Sequence, residues 1–134
     1  MIYGIGTDMV SIDRIAAVHE RFGERFARRI MRPAELEVYR SHPNKNRLLA
    51  KRFAIKEAAV KALGTGERGG VLLKDFAVTH SPLGKPQLEI SGEAARLCHS
   101  AGICAHHVSL SDEQNTVVAF VILETVDSST TTSI

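Results

Sequence analysis

The sequence predicts an α+β domain in which helices cover one face of a mostly antiparallel sheet. After a first strand, helical patterns fill the chain to residue 63 and strand patterns dominate the rest. The segments 81–86 and 112–115 have turn composition, which favours antiparallel neighbours. The 134 residues, 44% hydrophobic and 24% charged, suit a single domain over 1–126. The Ser- and Thr-rich residues 127–134 are predicted to be a disordered tail.

The first half of the chain is predicted to hold a strand followed by helices, over 2–10, 12–30, 34–41 and 45–63. Gly4 and Gly6 are unusual inside a strand and indicate that other backbone or a ligand approaches closely. Ser11 is a good N-cap for the first helix, and Pro33 either ends that helix or opens the short one. Gly64 is expected to end the long helix.

The second half is predicted to hold four strands and one helix, over 72–79, 87–91, 92–101, 105–111 and 116–125. Residues 64–70 include four glycines and are predicted to be a flexible loop. Ser91 is expected to cap the helix over 92–101, and Gly102 is expected to end it.

Composition excludes several classes of protein. The net charge of +2 is too small to indicate a nucleic-acid-binding protein, and no apolar run approaches the ~20 residues of a membrane helix. Cys98 and Cys104 form no C-x-x-C pattern, so neither a disulfide scaffold nor a zinc site is indicated, and both are expected to be buried. The N-terminus lacks the features of a signal peptide, and a cytoplasmic location is predicted.

Positive charge is concentrated in one part of the chain. Residues 14–61 hold 13 Lys/Arg and 5 Asp/Glu, a net charge of +8, whereas the remainder has a net charge of −6. Such a charge dipole predicts one surface that faces anions.

Five arginines share one face of the predicted first helix: Arg14, Arg21, Arg25, Arg28 and Arg32. One interpretation is a solvated charged face partly paired with Glu20 and Glu24. The other is a docking surface for an acidic partner, because the guanidinium group matches carboxylates well. Of the two aromatic residues beside the row, Phe22 is expected in the core, and Phe26 is either core or part of the docking surface.

Glu57 and Lys61 are four residues apart on a helix that is apolar on several sides, and they can pair. A carboxylate on such a helix needs a partner or a metal ion. Asp8 is a second isolated acid at the end of a strand. If Asp8 and Glu57 converge, they can bind Mg²⁺, which takes one or two carboxylates and completes its shell with water and substrate phosphates.

Glycines and histidines leave more than one interpretation open. The 64–70 loop matches neither a Walker A motif nor a G-x-G-x-x-G fingerprint, so it is either a helix C-cap with a turn or a phosphate-binding nest. The histidines show no metal-binding spacing. His106 and His107 open a strand and point to opposite faces, so one of them can face a site.

Taken in chain order, these segments resemble bacterial holo-[acyl-carrier-protein] synthase, the small type of 4′-phosphopantetheinyl transferase. The motifs that carry the resemblance are G-I-G-T-D at 4–8, Arg14, R-F-A-I-K-E-A-A-V-K-A at 52–62, G-T-G at 64–66, G-K-P at 84–86 and H-V-S-L-S at 107–111. The resemblance spans about residues 2–125 and implies the 4′-phosphopantetheinyl transferase fold.

The implied reaction moves 4′-phosphopantetheine from coenzyme A to a serine of apo-acyl carrier protein and releases adenosine 3′,5′-bisphosphate, in support of fatty acid biosynthesis. By the same resemblance, Asp8 and Glu57 ligate Mg²⁺ with the pyrophosphate of coenzyme A, and Lys61 contacts that pyrophosphate. The base is either Glu57 or a Mg²⁺-bound water that Glu57 holds. The resemblance also implies a homotrimer with sites between subunits.

Two further groups of residues are implied to bind substrates. The 64–70 loop and four other positions line the nucleotide part of the site: Gly64, Gly66, Gly84, Lys85, Pro86 and His107. Four residues bind the acidic helix of the carrier protein: Arg14, Arg21, Arg25 and Phe26. Many family members have His where this chain has Asp112, so no catalytic role is assigned to that side chain. The competing functions are a nucleic-acid-binding module and an adaptor that only docks an acidic helix.

Overall fold

The computed structural model describes residues 1–66 and 68–126, so the predicted tail over 127–134 lies outside the described residues. Within them the chain forms five strands and five α-helices. In order these are β1 (Ile2–Ser11), α1 (Ile12–Phe22), α2 (Glu24–Ile30), α3 (Pro33–Ser41), α4 (Lys45–Leu63), β2 (Phe76–His80), β3 (Pro86–Ile90), α5 (Gly92–Ala101), β4 (Ile103–Glu113) and β5 (Thr116–Thr125).

All strand pairs are antiparallel, and the strands divide into two sheets. The larger sheet has the order β1-β5-β4, and β2 and β3 form a separate hairpin. In the larger sheet Asp8 pairs with Ala119, and His107 pairs with Ile122. The predicted α+β class is therefore confirmed. The Leu88 amide of β3 donates to Nε2 of His106 on β4 at 3.0 Å, so a side chain links the two sheets.

The prediction of one helix over 12–30 is wrong, because Gly23 separates α1 from α2. Gly23 has φ 58° and ψ −141°, a conformation outside the helix that residues with a Cβ rarely adopt. Ser11 caps α1 as predicted, since its Oγ accepts from the Arg14 amide at 3.3 Å. The predicted row of five arginines is consequently not continuous along one helix.

Helix α4 forms the centre of the core. Its small residues let β1 approach closely: a Cβ on Gly4 would lie 1.9 Å from the Ala62 carbonyl oxygen, and one on Gly6 would lie 1.8 Å from that of Ala58. The close approach predicted from these glycines is confirmed. Twelve of the 19 residues of α4 are buried within this single chain, so the helix needs no second subunit to cover it.

The larger sheet packs one face on α4 and leaves the other open. Along β5 the buried residues alternate, and they are Val117, Ala119, Val121 and Leu123. The opposite face exposes large apolar side chains, with Ile5 59%, Met9 72% and Phe120 49% exposed. Within one chain, this second face of the sheet is therefore uncovered.

The segment before β2 differs from its prediction as a strand. Leu73–Asp75 forms a 3₁₀ turn, because the buried Asp75 carboxylate accepts from the Leu72 amide at 3.1 Å. Asp75 also accepts from the Ala94 amide at 3.4 Å, so it caps α5, whereas the Ser91 side chain makes no capping hydrogen bond.

Two predictions drawn from composition can also be compared with the fold. Cys98 is buried as expected, but Cys104 is exposed at the start of β4, where a register shift between Ile103 and Ala105 interrupts the alternation of the strand. No helix in the described part of the chain is long and apolar enough to cross a membrane.

Candidate active site

The first site residue is Asp8, which β1 carries to the side of α4. Gly4, Gly6 and Asp8 alternate along β1 and share the face that packs on the helix. The Asp8 side chain is 17% exposed, and its Oδ1 accepts from the Lys61 ammonium at 3.0 Å. The same ammonium donates to the Thr7 carbonyl oxygen at 2.9 Å, which fixes Lys61 against the strand.

The second carboxylate is Glu57, which lies on α4 one turn before Lys61. Glu57 is partly buried and precedes Ala58, whose carbonyl oxygen faces Gly6. Residues four apart share one face of a helix, and Lys61 contacts Asp8 from that face. The structure thus brings Asp8 and Lys61 together where β1 crosses α4, with Glu57 one turn before Lys61 on the same helix.

This set of side chains limits which metal ion the centre suits. Among residues 1–66 and 68–126, no three His, Cys, Asp or Glu side chains are grouped to hold a metal ion. Mg²⁺ needs only one or two carboxylates when water and substrate phosphates complete its shell. Asp8 and Glu57 therefore fit Mg²⁺ bound together with a phosphate-bearing substrate.

A cleft of about 240 Å³ leads from Asp8 along α1 to the contact between α2 and α4. Its lining includes Arg14 near Asp8 and the Phe26 and Phe53 rings farther away, whose centroids are 6.0 Å apart. A second hollow of about 250 Å³ continues past Phe26 to Arg25. We call the two together the docking groove. It connects the reaction centre with three of the four predicted carrier-protein contacts.

The exposed end of the docking groove is an aromatic ring between two arginines. The guanidinium carbons of Arg21 and Arg25 lie 5.1 Å and 5.7 Å from the centroid of the Phe22 ring, within cation–π range. Phe22 is 42% exposed, so the expectation that it is core is wrong. Because α1 ends at Phe22 and the chain changes direction at Gly23, the Phe22 side chain does not pack into the core. Two flanking arginines were the sequence signal for this role.

The two remaining arginines of the row, Arg28 and Arg32, have partners within this chain. Arg28 and Arg40 both bond the Glu24 carboxylate, at 2.7 Å and 2.9 Å, and the hydrogen bond from Arg40, followed by that from Arg28, lowers the pKa of Glu24 to about 2. Arg32 donates to the Lys74 carbonyl oxygen at 2.8 Å. Arg28 is thus a paired surface charge, as the first interpretation of the row proposed.

The predicted nucleotide-binding residues lie in three places: the end of α4, the β2–β3 hairpin and β4. Gly64 and Gly66 follow Lys61 at the end of α4, where Gly64 is the left-handed C-cap. Lys85 is exposed on the β2–β3 hairpin. The Lys85 amide donates a hydrogen bond to the Ser81 hydroxyl at 3.1 Å, which closes the turn. His107 contacts Glu124 on the sheet face opposite Asp8. One chain therefore does not bring His107 to the reaction centre.

Comparison with known proteins identifies the family of this chain. Residues 4–121 match the family model ACPS, the 4′-phosphopantetheinyl transferase superfamily. The chain belongs to this superfamily. The holo-[acyl-carrier-protein] synthase of Edwardsiella ictaluri is 53% identical over 123 residues, which cover 92% of this chain and 98% of that protein.

Solved structures agree with the assignment. The holo-[acyl-carrier-protein] synthase of Neisseria meningitidis has a TM-score of 0.87 and 44% identity, covering 92% of this chain and 99% of that one. The Bacillus anthracis synthase in complex with CoA (3′,5′-ADP) has a TM-score of 0.77 and 34% identity, covering 94% and 99%. These matches confirm the predicted family resemblance, the predicted fold and the predicted enzyme class, which is a phosphopantetheinyl transferase. The competing interpretations as a nucleic-acid-binding module or an adaptor are therefore rejected.

In this transferase Asp112 stabilises the hairpin between β4 and β5. Its carboxylate accepts from Arg47 at 2.7 Å and lies 3.7 Å from the Lys51 ammonium. The Arg47 hydrogen bond is the main reason that the pKa of Asp112 is lowered. Arg47 also donates to the Gln114 carbonyl oxygen at 2.9 Å, so these contacts tie the turn to α4.

Proposed function

We propose that this chain transfers 4′-phosphopantetheine from coenzyme A to a serine of apo-acyl carrier protein and releases adenosine 3′,5′-bisphosphate. The observation that carries the proposal is the docking groove, which connects Asp8 with Arg14, Arg25 and Phe26. A groove that joins a phosphate-binding centre to an arginine-rich surface suits a nucleotide and an acidic protein as the two substrates. The coenzyme A complex of the Bacillus anthracis synthase supports the choice of nucleotide.

Asp8 and Glu57 would hold Mg²⁺ together with the pyrophosphate of coenzyme A. The bound ion would stabilise the negative charge that gathers on the phosphoryl oxygens. Lys61 would supply a second positive charge, since its ammonium already lies 3.0 Å from the Asp8 carboxylate. Phosphoryl transfer depends mainly on positioning and on charge stabilisation of this kind.

The proton of the acceptor serine also needs a base. Glu57 would take it, either directly or through a water molecule that it holds, because Glu57 is the acidic side chain of α4 at the reaction centre. The serine is the nucleophile and belongs to the carrier protein. This chain therefore needs no serine, histidine and aspartate triad of its own.

The carrier protein would bind along the docking groove. Arg14, Arg21 and Arg25 are exposed and would face the carboxylates of its acidic helix. Phe22 and Phe26 would contact apolar side chains of the same helix, since Phe22 is exposed and lies within cation–π range of two guanidinium groups.

The active assembly would be a homotrimer with sites between subunits. The open sheet face exposes three large apolar side chains, Ile5, Met9 and Phe120, and exposed apolar patches often mark protein interfaces. A second copy is the occupant we favour, because His107 lies on this same face. Packing of that face on a neighbour would bring His107, and Lys85 of the hairpin, to the neighbour's nucleotide.

The direct test is transfer of labelled phosphopantetheine from coenzyme A to purified apo-acyl carrier protein. We expect the carrier protein to gain the label only when Mg²⁺ is present and to lose this ability when its acceptor serine is replaced by alanine. Absence of transfer with the wild-type chain and several bacterial carrier proteins would overturn the proposal. Roles in fatty acid biosynthesis and a cytoplasmic location stay predictions.

A further inference from the structure

A buried cluster of charged side chains lies behind the reaction centre, on the side of α4 opposite β1. It consists of Glu35 on α3 with Arg52 and Lys56 on α4. Glu35 is 5% exposed, Arg52 is 7% exposed and Lys56 is fully buried. Charged groups are rarely buried so completely unless they are paired. Replacing such a cluster with apolar residues is often neutral or stabilising, so stability alone is a weak explanation for it.

The cluster connects four elements through Glu35 and Lys56. The Lys56 ammonium donates to Glu35 Oε1 at 2.7 Å and to the carbonyl oxygen of Ile30, the last residue of α2. Glu35 Oε2 accepts from Arg52 at 3.0 Å and from the Val78 amide of β2 at 3.2 Å. Lys56 is thus the member of the cluster that contacts α2.

Helix α2 depends on outside contacts for its orientation. It has only seven residues, follows Gly23 directly and has no side-chain N-cap. Such a short helix is marginal by itself. Its contacts with α4 include the Phe26 ring against the Phe53 ring and the Ile30 carbonyl oxygen against Lys56. The second contact holds the end of α2 that the aromatic pair does not reach.

We propose that Lys56 is a positioning residue that fixes α2, and with it Arg25 and Phe26, relative to the neighbouring Glu57 on α4. The inference rests on the proposed function, because Arg25 and Phe26 matter only if a carrier protein docks there. Lys56 itself is buried and touches neither substrate. It acts through the Ile30 carbonyl oxygen and Glu35, so that α2 holds Arg25 and Phe26 in the orientation in which a carrier protein can bind them beside the reaction centre.

The test compares Lys56→Met with Arg52→Met, a matched change within the same buried cluster. Both remove a buried cation, but only Lys56→Met removes the contact with Ile30. Lys56→Met leaves Glu35 paired with Arg52, which favours folding. We expect it to raise the KM for apo-acyl carrier protein about tenfold, with the Kd of coenzyme A and the kcat at saturating carrier protein within about twofold of wild type. Arg52→Met should leave the KM for carrier protein close to wild type.

Amide hydrogen exchange gives a readout that needs no activity. Exchange over 24–30 should become faster in Lys56→Met than in Arg52→Met, at matched global stability. Lys56→Gln, which keeps a donor at this position, should show the same direction with a smaller effect. Wild-type exchange over 24–30 in Lys56→Met, or an equal rise in the KM for coenzyme A, would overturn the positioning role. Absence of transfer by the wild-type chain would overturn the proposed function and leave the exchange comparison intact.

Discussion

The backbone of Gly6 passes so close to Ala58 that a methyl group on Gly6 would lie 1.8 Å from the Ala58 carbonyl oxygen. This contact brings β1 against α4. Asp8 lies two residues later on the same face of the strand, so the close approach also positions its carboxylate beside Lys61. The glycines near the N-terminus therefore serve the reaction centre by permitting close approach of strand and helix.

Gly6→Ala should force β1 away from α4. We expect a loss of about 1–3 kcal/mol in the free energy of unfolding and a loss of most transfer activity even where the variant remains folded, because Asp8 moves with the strand. Urea unfolding and the transfer assay measure the two effects. Gly102→Ala is the control: Gly102 has φ +74° and no heavy atom within 4 Å, so that change should cost about 1 kcal/mol and spare activity. Normal turnover of folded Gly6→Ala would contradict this account.

Asp8→Asn and Glu57→Gln should each abolish transfer while the fold survives. Each change keeps the size of the side chain and removes a charge that would bind Mg²⁺. Circular dichroism would report the fold, and turnover would be followed over a range of Mg²⁺ concentrations. Near-normal turnover of either purified variant at saturating Mg²⁺ would show that the metal assignment is wrong.

Arg14→Glu should weaken use of the carrier protein and spare coenzyme A. The reversal places like charges across the docking groove, and we expect the KM for carrier protein to rise about tenfold, equivalent to ~1.4 kcal/mol. A carrier protein whose acidic helix carries a compensating Lys should recover part of the loss. An equal loss of affinity for coenzyme A would place Arg14 in the nucleotide site instead.

Mixed trimers should recover activity from two inactive parents. Asp8→Asn removes the metal-binding charge of one subunit, and Lys85→Ala removes the cation that we expect to act on a neighbour's coenzyme A. After subunit exchange, some interfaces would receive both intact halves and show partial activity. The measurement is turnover of exchanged mixtures beside the light-scattering mass. A monomeric mass at working concentration, or no recovery after proven exchange, would refute shared sites.

Acidification should loosen the link between the two sheets at His106. Nε2 of His106 accepts from the Leu88 amide, so the bond requires the neutral ring, and burial, followed by the charge of His107, lowers the pKa of His106. A lowered pKa in the folded state means that this stabilisation is complete above the unfolded value of 6.5 and is lost as pH falls through the folded value.

His106→Gln should therefore flatten the pH dependence of the free energy of unfolding between about pH 5 and about pH 7, since Gln keeps an acceptor and does not titrate. His80 is the matched comparison, because burial, followed by Arg52, also lowers its pKa. His80→Gln should remove its own part of the slope and leave that of His106. An unchanged slope in His106→Gln would rule out the link as a titrating contact.

The sequence by itself determined the positions of most elements and the family to which the chain belongs. Ser11, Gly64 and Gly102 marked helix ends correctly because capping is a local property of a few adjacent residues. Glu57 and Lys61 could be placed on one side of the long helix because residues four apart share a helix face, whereas the spacing left open whether Asp8 approaches them.

The tertiary structure alone decided where helices break and which faces meet. A glycine inside a helical pattern costs only about 1 kcal/mol, so the pattern around Gly23 could not distinguish a continuous helix from the break that exposes Phe22. Likewise, alternation along β4 showed that His106 and His107 face opposite ways, but not which one faces outward. Lys56 became a buried link to Ile30 through contacts between residues 26 positions apart. Such long-range contacts depend on how whole elements pack, and no local propensity encodes them.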